Sequence, residues 1–240
     1  MTKNIREMTE EEFKNIPLLD LENTLPFSCK SCGKCCKNRQ DLILTPYDVF
    51  RLARYLMRET GEIIKTYCEV FEGRDSHMPV VRILPRPPEN SCPFLRNRKC
   101  SVHQAKPILC RVYPIAKVHV FEQKSGYYLG DIPKCMRTDK QTTVRDWVGD
   151  AASDESNAAA AEWTKSLPRI IQPFHEKLKS FSLNERNQIF EAMFAHLYLL
   201  YDTKQDFAPQ LKQNVDNLCS HLEEKFDINY SKGDVNHENN

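Results

Sequence analysis

Cys29-Lys30-Ser31-Cys32-Gly33-Lys34-Cys35-Cys36 is the stretch that decides how the rest of the chain is read. Two residues between thiols let a tight turn aim both sulfurs at one ion, and Gly33 can supply the positive φ that such a turn often needs. A three-Cys run at this spacing also occurs in bacterial ferredoxins, where it holds iron–sulfur clusters. Neighbouring side chains tend to diverge, so the adjacent pair Cys35-Cys36 implies two metal centres or one larger cluster.

Working outward, the 240 residues contain ten Cys. No apolar run is long enough to span a bilayer, and Met1 to Glu12 lacks the apolar core of a signal peptide, so the expected location is cytoplasmic. There thiols stay reduced, and disulfides explain ten Cys poorly. Metal ligation is the better reading. Cys68 and Cys219 stand alone and read as packed thiols. The other cysteines are clustered.

Their second group begins with Cys92-Pro93-Phe94-Leu95 and continues with Cys100-x2-His103, Cys110-Arg111-Val112-Tyr113-Pro114 and Cys135. With Cys29, Cys32, Cys35 and Cys36 this makes eight, twice the four ligands that a tetrahedral zinc ion or a four-iron cluster uses. The spacing does not say which Cys goes where. His103 either replaces a thiolate, donates to a sulfur or simply packs. Arg111 can balance thiolate charge, and Tyr113 can pack over the sulfurs. Arg96, Arg98, Lys99, Lys106 and Arg111 fall between Cys92 and Arg111 without an acid. They read as cations offsetting thiolates. A nucleic-acid surface would interleave aromatics among them. The net charge of +1 gives no general pull toward nucleic acid or membrane.

The expected fold is α+β. Residues 1–27 form a strap, 28–142 a cysteine-cluster domain, 143–228 a helical region and 229–240 a disordered tail. Thr45-Pro46-Tyr47-Asp48 predicts a helix over 46–59, with an N-cap hydroxyl and a first-turn proline. A second helix is expected over Glu62–Phe71, a strand over Met78–Leu84, and a hairpin from Lys117–Phe121 and Gly126–Leu129 joined by Glu122–Ser125. Capping boxes at Thr143–Asp146 and Ser182–Glu185 start helices near 144 and 183. Ile189, Met193, Leu197 and Leu200 form one apolar stripe; Leu211, Val215, Leu218, Leu222 and Phe226 form another. His196 and Cys219 are ordinary helix-face residues.

Phe27-x-Cys29-x2-Cys32-Gly33-x-Cys35-Cys36, Cys92-Pro93-Phe94-Leu95, Cys100-x-Val102-His103 with Lys106-Pro107, and Cys110-Arg111-x-Tyr113-Pro114 together resemble the YkgJ-like cysteine-cluster family with its CxxCxxCC signature. The resemblance covers roughly residues 27–147 and takes in Asp48 and Arg51-Leu52-Ala53. It implies a zinc- or iron-chelating domain, similar in its core to the flagellin lysine N-methylases that use S-adenosylmethionine. No Gly-rich strand-to-helix loop of a Rossmann-type cofactor site occurs.

Three function classes follow. The leading one is a metalloprotein holding an iron–sulfur cluster, 4Fe-4S in type, or zinc. An S-adenosylmethionine-dependent protein-lysine methyltransferase is the second. A zinc-stabilised adaptor for an unidentified protein partner is the third. All-Cys ligands at irregular spacing favour iron–sulfur over zinc.

Overall fold

The computed structural model describes residues 9–39, 41–120 and 124–230. The helix Pro46–Leu56 forms where Thr45 and Asp48 cap it reciprocally, and it ends at Met57 in the left-handed region, φ 53°. The helix expected over Glu62–Phe71 occupies Thr60–Tyr67, and from Cys68 the chain becomes a strand. Val70 lies opposite Val81 and Phe71 opposite Val80, so sheet pairing of β-branched and aromatic residues overrides the helical pattern. The strand Pro79–Ile83 is the middle of a three-stranded antiparallel sheet, flanked by Ile43–Leu44 and Cys68–Glu72.

Two apolar cores organise the chain. The larger joins Phe50, Leu52, Ile63, Val81 and Ile83 to the helices Asp154–Lys177, Leu183–Phe194 and Phe207–Phe226. Ser182 and Glu185 cap the second of these helices as expected. The first, capped by the Ser153 hydroxyl, runs through Pro168 and Pro173. Leu211, Val215, Leu218, Leu222 and Phe226 are all buried, as their spacing predicts. Leu200 departs from its stripe and is 52% exposed, because the wide turn Ala195–Leu199 ends the helical register before it. The chain stays packed through Ile228 and Tyr230, both buried, where a disordered tail was expected from Asn229; 231–240 lie outside the described residues.

The smaller core gathers Leu25, Phe27, Val112, Ile115, Tyr127, Met136, Val144 and Val148. The strap contributes a strand, Thr24–Phe27, paired antiparallel with Arg137–Thr143, and Phe27 meets the Trp147 ring edge-on at 4.7 Å. The expected hairpin is present as Ile115–Val120 with Lys124–Leu129. Phe121–Gln123, within its expected strand end and turn, lie outside the described residues. Every strand pairing described is antiparallel, so the described residues form no doubly wound parallel sheet. Among them no helix is long and apolar enough to cross a membrane.

Candidate metal centre

Between the two cores lies a cavity of about 510 Å³ whose wall includes all eight clustered cysteines and neither Cys68 nor Cys219. Leu42, Ile83, Phe94 and Val102 of the larger core and Met136 of the smaller one supply its apolar floor.

Gly33 shapes the first motif. It sits at φ 71°, the left-handed region glycine favours, and opens the single turn Lys34–Cys36. A side chain there would begin 3.3 Å from Leu95 Cδ1, so the backbone also needs the space. Ser31 donates its N–H to Cys29 Sγ at 3.4 Å. The neighbouring thiols do not diverge as expected: Cys35 Sγ and Cys36 Sγ are 3.9 Å apart. Two thiolates on one tetrahedral ion, each at about 2.3 Å, would stand about 3.8 Å apart, so adjacency is no bar to a shared ion. The tight turn after Gly33 overcomes the divergence of an extended chain.

Each later cysteine has its own support. The N–H of Cys92 donates to the Cys36 carbonyl at 2.7 Å, tying the two motifs together. Cys100 pairs with Leu95 in a hairpin whose turn residues, Asn97 and Arg98, both take positive φ, as a two-residue turn of the primed types needs. Cys110 rides on the short helix Ile108–Val112. The buried Asp48 carboxylate accepts from Ile108 N–H at 2.7 Å with one oxygen, and from Thr45 N–H at 2.9 Å and Thr45 Oγ1 at 2.8 Å with the other. Its burial pushes the carboxyl above the ordinary range, against these donors. Arg51 donates to the carbonyls of Lys106 and Gln104, both at 3.1 Å, and pairs with Asp150. Asp48 and Arg51 thus fix the chain between Cys100 and Cys110. The sequence marks Asp48 as a first-turn acid and both residues as points of resemblance, but not their bonds to the Cys110 segment. Cys135 follows Pro133 in a loop joined to the first motif by Ser28 N–H donating to the Met136 carbonyl at 2.9 Å.

The thiols differ in acidity. A hydrogen bond from Cys36 lowers Cys35 to about 6, and donating that bond, together with burial, pushes Cys36 up. Burial raises Cys92 and Cys100, and takes Cys110 up to about 12. Lys30, Lys34, Arg39, Arg98, Lys99, Lys106 and Lys134 stand in the wall, which contains no carboxylate. Such surroundings favour thiolates.

His103 and Tyr113 line the cavity, and burial, then Lys106 and Arg111, hold the imidazole below its usual range. Arg111 does not line it. Its guanidinium donates to Asp150 Oδ1 at 2.8 Å and lies against Gly149, where any side chain would collide with it. The short helix that carries Cys110 turns Arg111 toward Asp150 and not into the cavity wall. Arg39 stands in that wall instead, 5.6 Å from the Tyr113 ring centroid and clamped by Asp41 through two hydrogen bonds of 2.6 and 3.0 Å. Arg96 also lies off the wall.

Cys68 opens the strand Cys68–Glu72 against the larger core, and burial raises its thiol to about 12. Cys219 is buried within that core.

Among the described residues, no group of three or more His, Cys, Asp or Glu is gathered closely enough to hold a metal ion. The sulfurs ring the cavity, and a change of staggered rotamer moves a sulfur by about 3 Å. The donor set suits zinc or iron, both of which take thiolate. A protein-family model described as CxxCxxCC, putative zinc- or iron-chelating domain, matches residues 28–147. No curated protein and no solved structure matches the chain.

Proposed function

The chain belongs to the CxxCxxCC family, and on that premise we propose that its eight clustered cysteines bind zinc or iron as thiolates, iron–sulfur being the favoured form. The observation that carries this reading is the membership of the cavity wall: eight cysteines from five separate segments enter it, and the two that stood apart in sequence stay out. Scattered buried thiols would not sort in this way. The favoured form rests on the all-thiolate donor set and its irregular spacing.

A bound centre would supply either a redox-inert clamp, if zinc, or a one-electron carrier, if iron–sulfur. The chain's own residues position and insulate it. Gly33, Asp48 and Arg51 fix the ligand-bearing turns, the wall cations offset thiolate charge, and Phe94 and Val102 limit water from below.

Purification without oxygen, followed by metal analysis and a visible spectrum, tests the proposal. Iron with acid-labile sulfide and broad visible absorption is the expected result. Zinc in a colourless protein would replace the iron–sulfur form while keeping chelation. Protein carrying neither metal would overturn both.

A further inference from the structure

Position divides the eight thiols, and we infer that they form two four-thiolate centres of unequal exposure: an inner one of Cys36, Cys92, Cys100 and Cys110, and an outer one of Cys29, Cys32, Cys35 and Cys135. This rests on the chelation proposed above and assigns each cysteine to a centre.

The two cores draw the line between them. Cys92, Cys100 and Cys110 pack against the larger core, while Cys135 packs against the smaller. The backbone bond from Cys92 N–H to the Cys36 carbonyl brings Cys36 to the inner three. Asp48 and Arg51, braced on the helix Pro46–Leu56, fix the chain leading to Cys110.

On the outer side, Cys32 and Cys135 both stand in the cavity wall. The loops that carry them are tied by Ser28 N–H to the Met136 carbonyl and by Lys30 Nζ to the Arg137 carbonyl at 3.4 Å. The two exposed thiols, Cys29 and Cys35, both belong to the outer set, while Cys32 and Cys135 are partly covered, as are all four inner thiols. Cys35 stands at the seam: its sulfur lies 3.9 Å from that of Cys36, as two ligands of one ion would, and its exposure alone assigns it to the outer set.

Unequal exposure has a kinetic consequence. Solvent and competing ligands reach a centre that contains exposed Cys29 and Cys35 more readily than one whose four thiols are all partly covered. The outer centre therefore exchanges its metal while the inner one retains it.

The test follows metal release from the purified full-length, metal-loaded protein into excess EDTA. Two phases of equal amplitude are expected, the faster by about tenfold or more. Cys32→Ser and Cys135→Ser should each halve the bound metal and remove the fast phase, leaving the slow phase at its original rate. Cys110→Ser should remove the slow phase; if that variant fails to fold, the outer variants decide alone. Single-phase release, or Cys135→Ser protein that keeps all its metal or loses all of it, would overturn the division. Wild-type protein that never carries metal would instead refute the chelation on which the division rests.

Discussion

The three-helix region and the cysteine-lined loops solve the same problem by different means. The helices hold Ile170, Ile189, Met193, Leu211, Leu218 and Leu222 almost wholly out of water. The loops around the cavity supply few buried apolar side chains, among them Phe94, Val102 and Met136, and are broken by proline from Pro85 to Pro133. Apolar burial suffices to fix the first region. In the second, ligation of thiolates has to supply much of what burial does not, which is how small metal-dependent folds work.

Stripping the metal should therefore separate the two regions. A structural site contributes on the order of 10 kcal/mol, so chelation should expose the segments around Cys29–Cys36 and Cys92–Cys110 to hydrogen exchange and protease. The helices Leu183–Phe194 and Phe207–Phe226 should keep their protection. Uniform loss, or none, would break the comparison.

The converse change is Leu222→Ala, which opens a cavity at a fully buried position and should cost about 2–5 kcal/mol in denaturant unfolding. Metal content per folded chain should not change. Metal lost in step with stability would mean that the regions are not separable.

Asp48 joins them, because it caps the helix Pro46–Leu56 and accepts the Ile108 N–H. Asp48→Ala should cost about 1–3 kcal/mol by leaving that donor unpaired, and should also speed metal release from the Cys110 side. A stability loss with unchanged release would restrict Asp48 to capping.

Proton release sharpens the contrast within the site. Cys92, Cys100 and Cys110 are all raised above the ordinary thiol range by burial, so they keep their protons at neutral pH and must give them up on binding metal. Affinity should then rise with pH, by up to about tenfold per unit for each proton released, and proton uptake should accompany metal loss. Affinity independent of pH between 6 and 8, a range of about 2 units, would contradict this.

The smallest effect belongs to the two arginines. Arg39→Ala should make metal release modestly faster, since Arg39 lies in the cavity wall, while Arg111→Ala should release at the wild-type rate because its guanidinium serves Asp150. The reverse order in a timed chelator competition would restore Arg111 to the site.

Much of this was legible because it is local. Thr45-Pro46-Tyr47-Asp48 starts a helix by its own chemistry, Ser182 with Glu185 does the same, and Gly33 takes the positive φ that the cysteine turn suggested. What escaped depends on partners distant in sequence. Val70 and Phe71 turn from helix to strand only because Val81 and Val80 are there to pair with them. Arg111 looked like part of the site from its neighbour Cys110, and only the fold shows Asp150 waiting for it. The expected divergence of Cys35 and Cys36 failed because a tight turn, not an extended chain, carries them. That Cys92, Cys100 and Cys110 pack against one core and Cys135 against the other could not be read from spacing, which is silent on which loops meet.

The central claim is that eight of the ten cysteines, and not the other two, hold metal. Metal content measured side by side for the wild-type protein and the Cys68→Ala/Cys219→Ala double variant tests it most directly. The same zinc or iron content per folded chain is expected in both. A double variant that has lost its metal, or wild-type protein without any, would contradict it.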